Sequence, residues 1–191
     1  MGKKAVLISI HPEWCGKIFD GRKNLEFRKT VPNIQLPFKC YVYCTARKRR
    51  LLGIIKDGDD VYGTEYHGKP VFIKTPDNTP YWLADRCKKV IGEVTVDRIA
   101  EVTTGDVNGV PVAFFGGVPF QDFPERYLMG GGVTYDEFIK YKGKGTVYGW
   151  RIADYKLFDK PMEVSDFKYH CCTDRVKKPP QSIVYVNELE G

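Results

Sequence analysis

The sequence predicts an α+β domain that is mainly β, with about six strands and two short helices. Short β-branched or alternating blocks recur at 5–10, 23–29, 38–45, 89–99 and 146–152, the periods expected of buried and half-buried strands. Only two stretches carry helix-start signals, one at Pro12 and one at the pair Thr134 and Glu137. Tight-turn residues separate these blocks, and no repeat at solenoid or propeller spacing runs through them.

Taken in order, Ala5 to Ile10 reads as a buried strand, after which Pro12 sits where its missing N–H costs a helix nothing. Trp14, Cys15 and Ile18 form the apolar stripe of that helix, and Gly21 suits its left-handed terminus. Lys23 to Lys29 alternates as a second strand, and Phe38 to Thr45 forms a third after a proline-marked loop. Residues 46–86 read as an elaborated excursion, with a short strand at Val71 to Lys74. Lys89 to Ile99 is a core strand whose Gly92 marks a bulge or tight bend. The Gly-rich, aromatic stretch 105–132, ending in Gly130-Gly131-Gly132, reads as a loop packed over the body. Thr134 and Glu137 form a capping box for a helix to about Tyr141. Thr146 to Ile152 and Tyr155 to Phe158 follow as strand, and Ile183 to Val186 as a last strand in a C-terminal extension from about 160.

The 191 residues, 42% hydrophobic and 14% aromatic, exclude intrinsic disorder and suffice for a single domain with its own core. A net charge of +6 permits a polyanionic partner without requiring one. The apolar run at 5–8 breaks at Ser9, so neither a signal peptide nor a membrane span is expected, and the protein is expected in the cytoplasm with its six cysteines reduced. Cys40 and Cys44 lie about 13 Å apart on a strand, too far for one tetrahedral zinc. His170 with Cys171 and Cys172 lacks a second ligand pair, so no metal and no cofactor are expected. Gly143-Lys144-Gly145 lacks the ending of a phosphate loop, and His11, His67 and His170 form no recognisable triad.

Lys23, Glu26 and Arg28 carry the chemistry. Glu26 and Arg28 are two apart on a strand and share a face, while Lys23 stands at its entrance. A carboxylate flanked by two cations suits either recognition of a base edge or activation of a water beside an amide; the plain alternative is an ion-pair network joining helix to sheet. Trp14, Tyr43 and Trp150 are candidate platforms for stacking a base. The tetrad Arg47-Lys48-Arg49-Arg50 follows directly on an aromatic strand, a candidate phosphate-binding patch that Lys140, Lys142, Lys144, Lys177 and Lys178 would extend; otherwise it is a solvated turn.

The pattern Gly21-x-Lys23-x-x-Glu26-x-Arg28, placed where a helix turns into a strand, resembles the signature of ASCH domains. The order of later features agrees, including Tyr148-Gly149-Trp150, Phe158 and Pro161, and the chain is similar along nearly its full length to phage- and prophage-borne ASCH proteins of bacteria, Pro179 to Ser182 and Tyr185 to Leu189 included. This resemblance implies a PUA-like β-barrel with helices beside its mouth and a cleft lined by the motif. It implies binding of RNA, or of a nucleotide within it. Some small ASCH members instead hydrolyse N4-acetylcytidine through a threonine at the motif position that Glu26 holds here, acting with the motif lysine and a distal glutamate. Without that threonine, an amidohydrolase would need Glu26 to activate water, with Lys23 or Arg28 on the oxyanion and Glu93 as the nearest candidate distal acid. Some relatives are suspected of cutting RNA, so a ribonuclease is a third reading. A binding module is the first expectation.

Overall fold

The computed structural model describes residues 2–45, 64–66, 69–71, 83, 86–108, 110–119 and 130–189. β1 (Lys4–Ile10), α1 (Pro12–Phe19), β2 (Leu25–Arg28) and β3 (Phe38–Cys44) come first. The short pair β4 (Thr64–Tyr66) and β5 (Lys69–Val71) follows, then β6 (Lys89–Val107), β7 (Val110–Phe115) and β8 (Val118–Pro119). α2 (Tyr135–Lys142), β9 (Tyr148–Met162), a 3-10 turn at Val164–Asp166 and β10 (Ile183–Asn187) complete the chain.

One sheet organises the molecule, with β10, β1, β3, β6, β9 and β2 as successive neighbours and β7 and β8 extending from the far half of β6. All these pairings are antiparallel except β1 with β3. Among the described residues the sheet does not close into the expected barrel. β10 pairs with β1 over Lys4–Ile8 and β3 over Val6–Ile10, whereas β2 pairs with β9. A side chain joins β2 to β1: Arg28 Nη2 donates to the Ser9 carbonyl oxygen at 2.7 Å.

Strand alternation sorts the core. From β1, Val6, Ile8 and Ile10 face one cluster with Cys15, Ile18 and Phe19 of α1, while Ala5 and Leu7 face the other side. There Val164, Phe167 and Val176 of the C-terminal segment cover Tyr41 and Leu7, with the Tyr41 and Phe167 rings 4.8 Å apart. A third cluster joins Leu25 and Phe27 of β2 to Phe138 of α2. Both faces of the sheet are therefore covered, which explains the near-continuous apolar run in β1.

Two sequence expectations change. The stretch from 105 is not all loop: β6 runs on to Val107 and turns at Asn108, with φ 55°, into β7. Asn108-Gly109 is the sequence signal of such a hairpin, since Asn and Gly accept the left-handed backbone that a two-residue turn requires. Secondly, the two C-terminal strand pieces are one strand, β9, which stays paired with β6 through several register shifts. One shift falls between Val90 and Gly92, where a bulge was expected, and a Cβ on Gly92 would lie 2.4 Å from the Lys156 carbonyl oxygen. The capping box at Thr134 and Glu137 forms as anticipated. Among the described residues, no helix is long and apolar enough to cross a membrane.

Candidate functional site

Gly21, with φ 81°, ends α1 and turns the chain back so that the Lys23 amide donates to the Lys17 carbonyl oxygen at 2.7 Å. The glycine triplet holds the next residues. Gly130 O accepts from the amides of Asn24 and Leu25 at 2.8 and 2.7 Å, and the Lys23 ammonium donates to Gly131 O at 2.8 Å and to Leu25 O. Gly130 sits at φ 74°, the left-handed backbone that favours glycine, and a Cβ there would displace the Asn24 side chain.

Glu26 and Arg28 project from the same face of β2, as their spacing dictates. Glu26 Oε2 is 3.3 Å from Lys23 Nζ and Glu26 Oε1 is 3.0 Å from Arg28 Nε. The three side chains are largely buried, at 3% exposure for Lys23, 12% for Glu26 and 14% for Arg28. Burial pulls the Lys23 ammonium below its ordinary range, and the Glu26 charge offsets part of that effect. With Leu25 O, Gly131 O and Glu26 as acceptors, all three Lys23 protons have partners.

The trio lines a cavity of about 750 Å³. Trp14 of α1 lines it too, with Lys17 Nζ 4.5 Å from the Trp14 ring centroid and donating to Gly132 O. Tyr43 and Thr45 contribute from the end of β3, and Val133, Glu137, Phe138 and Tyr141 from α2 and its approach. The last wall is Pro179, Pro180 and Gln181. The cavity thus joins aromatic faces with a compact acceptor and donor set, the composition of a site for a flat polar ligand.

Five of the predicted site residues converge here, and two candidates lie elsewhere. Lys23, Glu26, Arg28, Trp14 and Tyr43 line the cavity. Trp150 does not: it is fully buried, packs edge-on against Phe38 and donates Nε1–H to Thr30 O at 3.2 Å. It is a core residue, because the face of β9 that carries it is covered by β1, β3 and α1 residues. Glu93 is also elsewhere, paired with Lys39 at 3.0 Å. Arg47, Lys48, Arg49 and Arg50 lie outside the described residues. Cys44 approaches Cys87, Sγ to Sγ 3.8 Å, rather than Cys40, and no group of three His, Cys, Asp or Glu gathers among the described residues.

Sequence reasoning missed several lining residues. Glu137 enters the pocket while its Oε2 accepts from the Thr134 amide at 2.8 Å, so its capping role hid its second position. His11 and Thr45, joined Nδ1 to Oγ1 at 3.1 Å, meet only because the ends of β1 and β3 are paired. Tyr141 donates to Phe27 O at 3.3 Å, and burial raises its phenol pKa.

No protein-family profile matches the chain, and no curated protein matches it in sequence. Solved structures do match. ASCH from Zymomonas mobilis is similar over 94% of this chain and 85% of that one, with 18% identity and a TM-score of 0.50. A Tyr-to-Phe variant of that protein matches with 17% identity over 94% and 87%, and a Ser-to-Ala variant with 18% over 95% and 87%, each at a TM-score of 0.50. At that identity the likeness speaks to fold, and the chain has the fold of an ASCH domain, the family whose signature Gly21, Lys23, Glu26 and Arg28 resemble.

Proposed function

We propose that this chain is a nucleic-acid-binding protein of the ASCH type that takes a base of single-stranded RNA, or a single nucleotide, into the cavity of Lys23, Glu26 and Arg28. The observation that carries this reading is the convergence of Glu26, Arg28 and Trp14 on one open cavity. An isolated ion-pair network has no need of an aromatic face and 750 Å³ of adjoining space. Trp14 supplies a stacking surface, Glu26 accepts, and Arg28 donates; Arg28 Nη1 has no partner among the described residues. Arg47 to Arg50 are the proposed phosphate contacts from sequence.

Hydrolysis of an acylated nucleoside is the second reading, favoured by Glu137, which brings another carboxylate to the cavity. Against it, both Glu26 oxygens sit beside cations and Lys23 Nζ is held by the Leu25 and Gly131 carbonyls, so the groups a hydrolase would use are engaged with one another and with the backbone. A ribonuclease reading has a single histidine, His11, at the cavity.

Fluorescence anisotropy with a labelled single-stranded RNA tests the binding reading. A few phosphate contacts give a log–log salt slope of about −2 to −4, at roughly 0.7 per phosphate. Trp14→Leu weakens binding about 5- to 150-fold, the equivalent of about 1 to 3 kcal/mol of stacking. N4-acetylcytidine remains intact. Robust turnover that disappears in a folded Glu26→Gln variant would overturn this ranking in favour of the hydrolase.

A further inference from the structure

The residues between the C-terminal cover and β10 form a fixed strap at the cavity rather than a free tail. At one end Val176 is buried and its amide donates to Phe167 O at 2.8 Å. At the other, Ile183 opens β10 opposite Ile8. Between them, Pro180 O accepts the Ser9 hydroxyl at 2.7 Å. Pro179 and Pro180 each lock φ, so the six residues 177–182 have little freedom left to lose when a ligand arrives. Ser9 also ties this strap to the motif, because its carbonyl accepts Arg28 Nη2 while its hydroxyl holds Pro180.

The strap carries its chemistry in order. Pro179, Pro180 and Gln181 line the cavity, and Lys178 and Lys177 precede them at consecutive Cα steps of about 3.8 Å. Both lysines are exposed, and neither pairs with a carboxylate among the described residues. The Gln181 carboxamide, exposed at the cavity, has no partner among those residues and offers a donor and an acceptor together. Two unpaired cations beside a cavity wall meet the need of a strand whose base is inside and whose phosphates continue past the rim.

We propose that Lys177 to Gln181 is the strand-reading wall of this site: Lys177 and Lys178 hold phosphates of single-stranded RNA flanking the inserted base, and Gln181 reads that base's edge. This rests on the RNA-binding reading above and assigns to the strap what separates a strand from a free nucleoside.

The test is anisotropy of the full chain with labelled ten-nucleotide rA, rC and rU over a salt series, comparing wild type, the double variant Lys177→Ala/Lys178→Ala, and Gln181→Ala. All three substitutions are at exposed positions, and thermal melts establish that the variants are folded. The double variant is expected to flatten the log–log salt slope by about 1.4, two phosphates at roughly 0.7 each, with the order of preference among the three RNAs kept. Gln181→Ala is expected to keep the slope and compress that preference. An unchanged slope in the double variant, with wild type binding RNA, overturns the phosphate assignment. An unchanged preference in Gln181→Ala overturns its reading role. Failure of wild type to bind any of the three RNAs overturns the RNA-binding reading itself, a result distinct from either.

Discussion

The Lys23 ammonium donates to the carbonyl oxygen of Gly131 at 2.8 Å, across 108 residues of sequence. The cation is enclosed by the backbone carbonyls of Leu25 in β2 and Gly131 in the glycine loop, with Glu26 as its counter-charge. The motif lysine therefore joins strand to loop, and Glu26 and Arg28 line the cavity beside it.

This enclosure has a pH signature. Burial lowers the folded-state pKa of Lys23 from its ordinary 10.5, so between the two values the unfolded chain holds more protons and unfolding free energy rises with pH. The advantage of wild type over Lys23→Met is expected to be smaller at about pH 7 and larger at about pH 10, as read from urea midpoints. A difference that falls over that range contradicts an ammonium dominated by desolvation.

Gly92 is expected to tolerate no side chain. Its Cβ would stand 2.4 Å from Lys156 O and 2.6 Å from Phe19 Cε1, and a backbone oxygen paired within the sheet cannot withdraw. Gly92→Ala should cost about 3 kcal/mol, the upper part of the usual overpacking range, or roughly 6 to 12 °C in Tm. Gly145→Ala makes the comparison: it has no positive φ, and a Cβ there would stand 3.6 Å from Lys142 O, an ordinary contact, so its cost should be within about 0.5 kcal/mol of zero. Equal melting temperatures for the two variants would rule out the close approach.

The cysteines should separate by reactivity. Cys171 and Cys172 are exposed, whereas Cys15, Cys40 and Cys44 are buried, and burial pushes the Cys40 thiol far above its ordinary value. Alkylation of native protein followed by peptide mass mapping should mark Cys171 and Cys172 and reach Cys15 and Cys40 only in denaturant. The hydrogen bond with Cys172 raises the Cys171 pKa, so modification at Cys171 should be slower than at an isolated exposed thiol. Labelling of Cys40 in the native state would contradict the packing of β3.

The cavity floor was legible because it is local. Lys23, Glu26 and Arg28 lie within six residues, and period-two geometry alone puts two of them on one face. Trp150 misled because alternation gives a residue's face but not what covers that face; here the covering residues come from β1, β3 and α1. The hairpin at Asn108 carried an explicit turn signal that glycine and aromatic content masked. Closure was not legible because it depends on which strands pair: among the described residues β1 has β10 and β3 as neighbours, and β2 has β9. Nothing in the local pattern of Pro179 to Gln181 points to the cavity, since their placement depends on partners such as Ser9 that are 171 residues away in sequence.

The Ser9 to Pro180 bond also orders the protein's birth. Translation delivers Lys23, Glu26 and Arg28 before Pro179 to Gln181, which follow every strand of the main sheet except β10. A nascent chain stalled before residue 177 holds the motif without Pro179 to Gln181, and its β1 lacks the β10 neighbour. Contacts of such long sequence separation form slowly. Pro179 to Gln181 are thus the last part of the cavity wall to be made, and a chain stalled before them holds the motif beside an incomplete cavity.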